Sequence, residues 1–164
     1  MNTNTLTAML RNVEFLHGMA PEHLEHIASN AEVRDYGKSE TVFREGELAE
    51  STYLVVSGKF ALELSPATIY SKHLVDVFPG EMLGWSSLVD HQPFAATAIA
   101  LEPSRVIRID SARLRAICEK DPQFGYELMR RTVLVLANRL KSTWTQLSHL
   151  YVSHYLPVTT PSNE

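Results

Sequence analysis

VFREGELAESTYLVVSGKFAL, Val42 to Leu62, decides the fold. Its apolar runs are short, and Gly46 and Gly58 stand at their ends, where a turn needs positive φ or close backbone approach. From Lys59 the pattern alternates, with Phe60, Leu62 and Leu64 on one face and Lys59 and Glu63 on the other. Arg105 to Asp110 alternates too, Ile107 and Ile109 opposite Arg108 and Asp110. Thr41–Phe43, Tyr53–Val56, Leu74–Phe78 and Phe94–Leu101 read as further strands, punctuated by Gly37, Gly80 and Gly84. Many short strands with no helix between them predict an antiparallel barrel or sandwich over residues 31–110 and argue against a βαβ sheet.

The flanks carry helical spacing instead. Leu6, Met9, Leu10 and Val13 predict a helix from Thr5 to His17, and Pro21 opens a second with Leu24 and Ile27 as its apolar residues. After the strands, Ser111 is placed to cap a short helix over ARLRAICEK. Asp121-Pro122 then gives an N-cap followed by proline at the first helical position. No breaker follows until Pro157, so a helix from Pro122 to about Tyr151 is predicted, roughly 45 Å long. Val133, Leu136, Leu140, Thr143, Leu147 and Leu150 repeat at steps of three and four, the seam of a two-helix coiled coil and so of a homodimer. Phe124, Leu128 and Val135 form a second stripe directed at the β-structure; the other reading is a single wide stripe folded back on its own domain. Residues 1–152 are expected to form one domain, with C-terminal helices over 111–152 and a disordered tail, 153–164.

Composition bounds the function. The hydrophobic fraction of 45% is that of a globular chain, and no apolar run approaches the roughly 20 residues of a membrane span. The start, MNTNTLTAMLRNVEF, lacks the basic and apolar regions of an export signal, and Cys118 is the single cysteine, so a reducing cytoplasm is expected. A net charge of −4, with only Arg130 and Arg131 adjacent, argues against nucleic acid.

Two motifs carry a resemblance to the cyclic-nucleotide-binding family: Val42–Leu62, and FPGEMLGWSSL followed by PFAATA, Phe78 to Ala98. The resemblance implies a mainly β fold with flanking helices: an antiparallel β-roll (double-stranded jelly roll) with N-terminal helices and a long C-terminal helix. It implies no enzymatic activity, and as ligand a cyclic nucleotide, cyclic AMP or cyclic GMP, or another small anion. The second motif resembles the phosphate-binding cassette, which implies ligand contacts at Gly80, Glu81, Met82, Leu83, Gly84, Trp85, Ser86, Phe94, Ala95, Ala96 and Thr97. A short helix just after Glu81 would aim N–H groups at the phosphate, and the Glu81 carboxylate would accept from the ribose hydroxyl. The family's pattern resembles Pro-Arg-x-Ala-Thr; here Pro93 is followed by Phe94. Loss of that arginine removes charge-assisted bonds of about 1.5–3 kcal/mol, roughly ten- to a hundredfold in affinity. Trp85 and Phe94 either line a more apolar pocket or close a vestigial one as core.

Blander readings stand beside the others. Glu81 either binds ribose or caps a turn, and the hydroxyls of Ser86, Ser87 and Thr97 either meet a ligand or bond the local backbone. His23 and His26 read as a solvated face rather than metal ligands, as do His149 and His154; no metal is expected. Asp90-His91 beside Ser86 and Ser87 lacks a nucleophile-elbow motif. Cys118, with Leu114 and Ile117, reads as packing. A transcription factor of the catabolite-activator or Fnr kind would add a helix-turn-helix after the long helix, for which residues up to Glu164 leave no room, so direct DNA binding is not expected.

Overall fold

The computed structural model describes residues 2–64, 72–89 and 92–155. Helix α1 (Thr3–Arg11) and a 3-10 turn (Glu14–Leu16) precede α2 (Pro21–Ala28). Strands β1 (Ala31–Tyr36), β2 (Thr41–Phe43), β3 (Ser51–Ser57), β4 (Phe60–Leu64), β5 (Lys72–Val77), β6 (Met82–Leu83), β7 (Thr97–Ala100) and β8 (Ser104–Asp110) follow. Helices α3 (Ser111–Lys120) and α4 (Pro122–Tyr155) end the described chain.

The strands form two antiparallel four-stranded sheets, ordered β1-β8-β3-β6 and β2-β7-β4-β5. Apart from the β4–β5 pair, consecutive strands fall in different sheets, so the chain winds as a roll. Phe43, Tyr53, Val55, Phe60, Leu62, Val77, Leu83, Phe94, Ala98 and Val106 make one buried cluster between the sheets. Residues of the opposite parity, Leu54, Ile107 and Ile109, are buried too, so the first sheet is covered on both faces. The turn after β3 requires glycine: Gly58 has φ +85°, and a Cβ there would lie 2.1 Å from Ser104 Oγ.

The expected fold is present, with corrections to its elements. The helix expected over Thr5–His17 ends at Arg11, because Val13 is extended and the Phe15 amide donates to Gly80 O at 3.0 Å. Strand β7 begins at Thr97 rather than Phe94, because Phe94 bonds instead to the turn after β2: its amide donates to Glu47 O and its carbonyl accepts from Gly46 N, both at 2.9 Å. The cap of α3 is Asp110, whose carboxylate accepts from Arg113 N at 2.9 Å, while Ser111 turns its hydroxyl inward. Strands β1 and β6 had no distinct signal of their own, β1 because charged residues interrupt it and β6 because it is so short.

Two compact units divide the chain, Met1–Arg131 and Thr132–Glu164. In the first, Phe124 and Leu128 of α4 are buried as expected, and Asp121 Oδ1 accepts from the Gln123 and Phe124 amides at 3.1 Å, capping the helix. In the second, α4 continues to Tyr155, so residues 153–155 are helix and not tail; residues 156–164 lie outside those described. Val133, Leu140, Thr143 and Leu147 of the expected seam are exposed there, as is Trp144, and Leu136 is half-buried. Leu150 lies outside the residues whose side chains are described. No helix among the described residues is long and apolar enough to cross a membrane.

Candidate ligand cassette

The segment from Phe78 to Thr97 is built on backbone contacts to β3. Val55 N donates to Glu81 O and Gly80 N to Val55 O, each at 2.9 Å, which seats the first turn against the sheet. Glu81 closes that turn with its own side chain: Oε2 accepts from the Phe78 amide at 2.7 Å. The capping role weighed from sequence is therefore occupied, on an exposed residue.

No helix begins directly after Glu81. Met82 and Leu83 instead pair with Leu54 and Tyr53 of β3, fully buried, and the chain turns at Gly84 (φ +73°) into a 3-10 helix, Trp85–Leu88. A Cβ on Gly84 would lie 3.0 Å from Ser51 O and 3.1 Å from Phe94 Cε1, so glycine lets both approach. Ser86 and Ser87 are buried, and Ser87 is engaged on all sides. Its hydroxyl donates to Gly84 O at 2.8 Å and accepts from Ser111 Oγ at 2.6 Å, while Arg115 donates to its carbonyl. The 3-10 helix is thus tied to α3 by side chains. Asp90 and His91 lie outside the described residues.

Phe94 lies in the core, 5% exposed, its ring stacked on Phe43 with centroids 3.8 Å apart and planes 15° from parallel. Phe43 stacks in turn on Tyr53 at 5.6 Å. Ala96 is buried, Ala95 and Glu81 are exposed, and Trp85 is only partly covered, so the two aromatics expected to act together part company. Thr97 accepts at Oγ1 from the Glu45 amide at 3.0 Å, a backbone bond to the distant turn after β2 rather than to its own neighbourhood.

Other expectations fare unequally. His23 is buried, not solvated: its Nε2 lies 3.3 Å from Asp121 Oδ2 and its ring packs edge-on to Phe124. His26 is exposed, and no group of metal-ligating side chains occurs among the described residues. His149 and His154 lie outside the described side chains. Cys118 is half-buried, and that burial pushes its thiol up. Not foreseen was a polar cluster on the roll's inner face, where Arg108 lies opposite both Glu32 of β1 and Tyr53 of β3. Arg108 donates to Glu32 Oε1 at 3.0 Å and Ser51 Oγ at 2.9 Å, and burial pushes the Tyr53 hydroxyl up. The available signal was register: Arg108 alternates with Val106 and so shares its face.

The sequence pattern of the cyclic nucleotide-binding domain matches residues 33–121, more than half the chain. The chain belongs to the cyclic nucleotide-binding domain family. Within that family it is 28% identical over 141 residues to the Cyclic AMP receptor protein of Thermus thermophilus, covering 86% of this chain and 63% of that one. The Thermus thermophilus Catabolite Activator Protein structure superposes with a TM-score of 0.68 at 28% identity, over 84% of this chain and 62% of that one. A cyclic nucleotide-binding domain from Methylobacillus flagellatus shares the fold at a TM-score of 0.75 and 14% identity, over 96% of this chain and 86% of that one. The chain thus spans less than two thirds of the length of the curated relatives it matches first. In this cyclic nucleotide-binding domain, position 94 carries a phenylalanine that faces inward.

Proposed function

We propose that residues 1–152 form a non-enzymatic regulatory domain in which core packing has replaced the cassette's grip on a cyclic phosphate, and which acts through protein contacts, pairing with a second copy along α4. The buried stack of Phe94 on Phe43 carries the reading. A phosphate entering beside it would be desolvated next to aromatic carbon where the resemblance implies a guanidinium, an expensive placement for a charge. Glu81 and Thr97, two of the polar residues the resemblance assigns to the ligand beside Ser86, are held by the amides of Phe78 and Glu45. The exposed apolar residues Val133, Leu140 and Leu147 at coiled-coil spacing support the pairing. A single cysteine fits a cytoplasmic setting, and an overall acidic charge speaks against direct DNA contact.

The bond between Ser87 and Ser111 favours a second reading, in which a cyclic nucleotide or other small anion at Gly80–Thr97 moves α3 through that bond. A thermal-shift titration with cyclic AMP and cyclic GMP separates the two. Either nucleotide at a hundred times its dissociation constant would stabilise the fold by about 2.7 kcal/mol, several degrees for a chain this long. The proposal expects no shift. A saturable shift with either nucleotide, abolished by Glu81→Ala, would overturn it in favour of the sensor.

A further inference from the structure

A notch of about 260 Å3 shares no residue with the cassette. It lies where the end of α2 meets β1, β8 and the start of α3, lined by Ser29, Asn30, Glu32, Arg108, Asp110 and Arg113. Arg34 and Arg108 both donate to Glu32 Oε1, at 2.8 and 3.0 Å, so one carboxylate answers two guanidinium groups. Asp110 is engaged by the amide of Arg113, but the Arg113 guanidinium has no partner among the described residues. The lining's two cations (Arg108, Arg113) are thus answered by Asp110 and by a Glu32 carboxylate that Arg34, outside the lining, also engages, in a chain whose net charge is −4.

The inner guanidinium is also held in place. Arg108 Nε donates to Ser51 Oγ at 2.9 Å, and Ser51 is itself buried. Its bonds to Ser51, Glu32 and Tyr53 engage only some of the five N–H groups of the fork. A guanidinium fixed from behind offers the remaining donors without first losing side-chain freedom, and the planar fork matches carboxylate and phosphate oxygens. Arg113, on the first turn of α3, supplies the second cation of the lining.

We propose that this notch binds a compact anion through a carboxylate or phosphate group, clamped between Arg108 and Arg113. The proposal is independent of whether the cassette holds a nucleotide. Two-dimensional NMR titration of the full chain with inorganic phosphate, and separately with acetate, at constant ionic strength tests it. Saturable shifts are expected at the amides of Asn30, Glu32, Arg108 and Arg113, with the stronger probe naming the head group. Arg113→Gln, on an exposed side chain that leaves the fold intact, is expected to weaken binding by about tenfold or more, and Arg113→Lys by less. Shifts that grow linearly without saturating, that appear elsewhere, or that are unchanged in Arg113→Gln would each overturn the site.

Discussion

Replacing Phe94 by alanine tests whether the cassette has become core. The ring is 5% exposed and lies 3.8 Å from that of Phe43, so truncation removes nearly a whole buried side chain and one stacking partner. Phe→Ala changes in cores cost about 3–5 kcal/mol, of which the stack accounts for roughly 0.5–1.5. At roughly 2–4 °C per kcal/mol for a chain of this length, Phe94→Ala should lower the melting temperature by about 6–20 °C. Phe94→Leu, which keeps much of the volume, should cost only about 1–1.5 kcal/mol. A double-mutant cycle with Phe43→Ala should return a coupling of about 0.5–1.5 kcal/mol, since the two rings touch. Urea unfolding followed by circular dichroism provides all three numbers. A loss below about 1 kcal/mol in Phe94→Ala, with no coupling to Phe43, would mean that the ring is not part of the core in solution and that the packing argument against a bound phosphate fails.

Ser87→Ala should cost about 1–3 kcal/mol by leaving the buried Ser111 hydroxyl without its 2.6 Å partner, and Ser111→Ala added to it should cost little more; the same unfolding curves check both. Gly84→Ala should destabilise by on the order of 1–3 kcal/mol, because φ is +73° and the new methyl would stand 3.0 Å from Ser51 O; a melting temperature equal to the parent's would contradict this. Leu140→Glu should convert a dimer to monomer in sedimentation velocity without lowering the melting temperature of the isolated subunit; a parent already monomeric at high concentration would remove the pairing. Stability should fall in acid. The carboxyls of Glu32, Asp121 and Glu127 lie below their ordinary values of 4.5, 3.8 and 4.5, held there first by bonds from Arg34, the Phe124 amide and Arg130. A depressed folded value means that the unfolded chain binds the proton more readily, so this stability is full above the ordinary values and disappears as pH drops through the folded ones. Urea midpoints should be flat from about pH 7 to 5 and decline below about 4.5, and Asp121→Asn, which keeps a capping side chain, should remove part of the decline.

Glycine punctuation and strand alternation made the roll legible, because both reflect local backbone demands that tertiary contacts do not override. Asp121-Pro122 was legible for the same reason: a cap and a preset φ need nothing distant. What misled was pull from afar. The first helix stops where Phe15 reaches Gly80, and β7 starts late because Phe94 bonds to Gly46 and Glu47; no window of sequence contains those partners. His23 reads as surface because its partner Asp121 arrives from the junction between α3 and α4. At the cassette, the substitution at Phe94 was visible in the sequence, but its meaning was not. Whether an aromatic lines a cavity or fills it depends on Phe43 and Tyr53, which approach from two other strands, in different sheets.

The segment around Phe94 is held by main-chain bonds to Gly46 and Glu47, to which the identity of its side chain contributes nothing. Its course is therefore separable from its cargo. A lineage could exchange a charged group at this position for a ring, or the reverse, while the loop kept its path and every intermediate protein kept its turn. At such a position the obstacle to exchange is the packing against Phe43 and not the path of the chain.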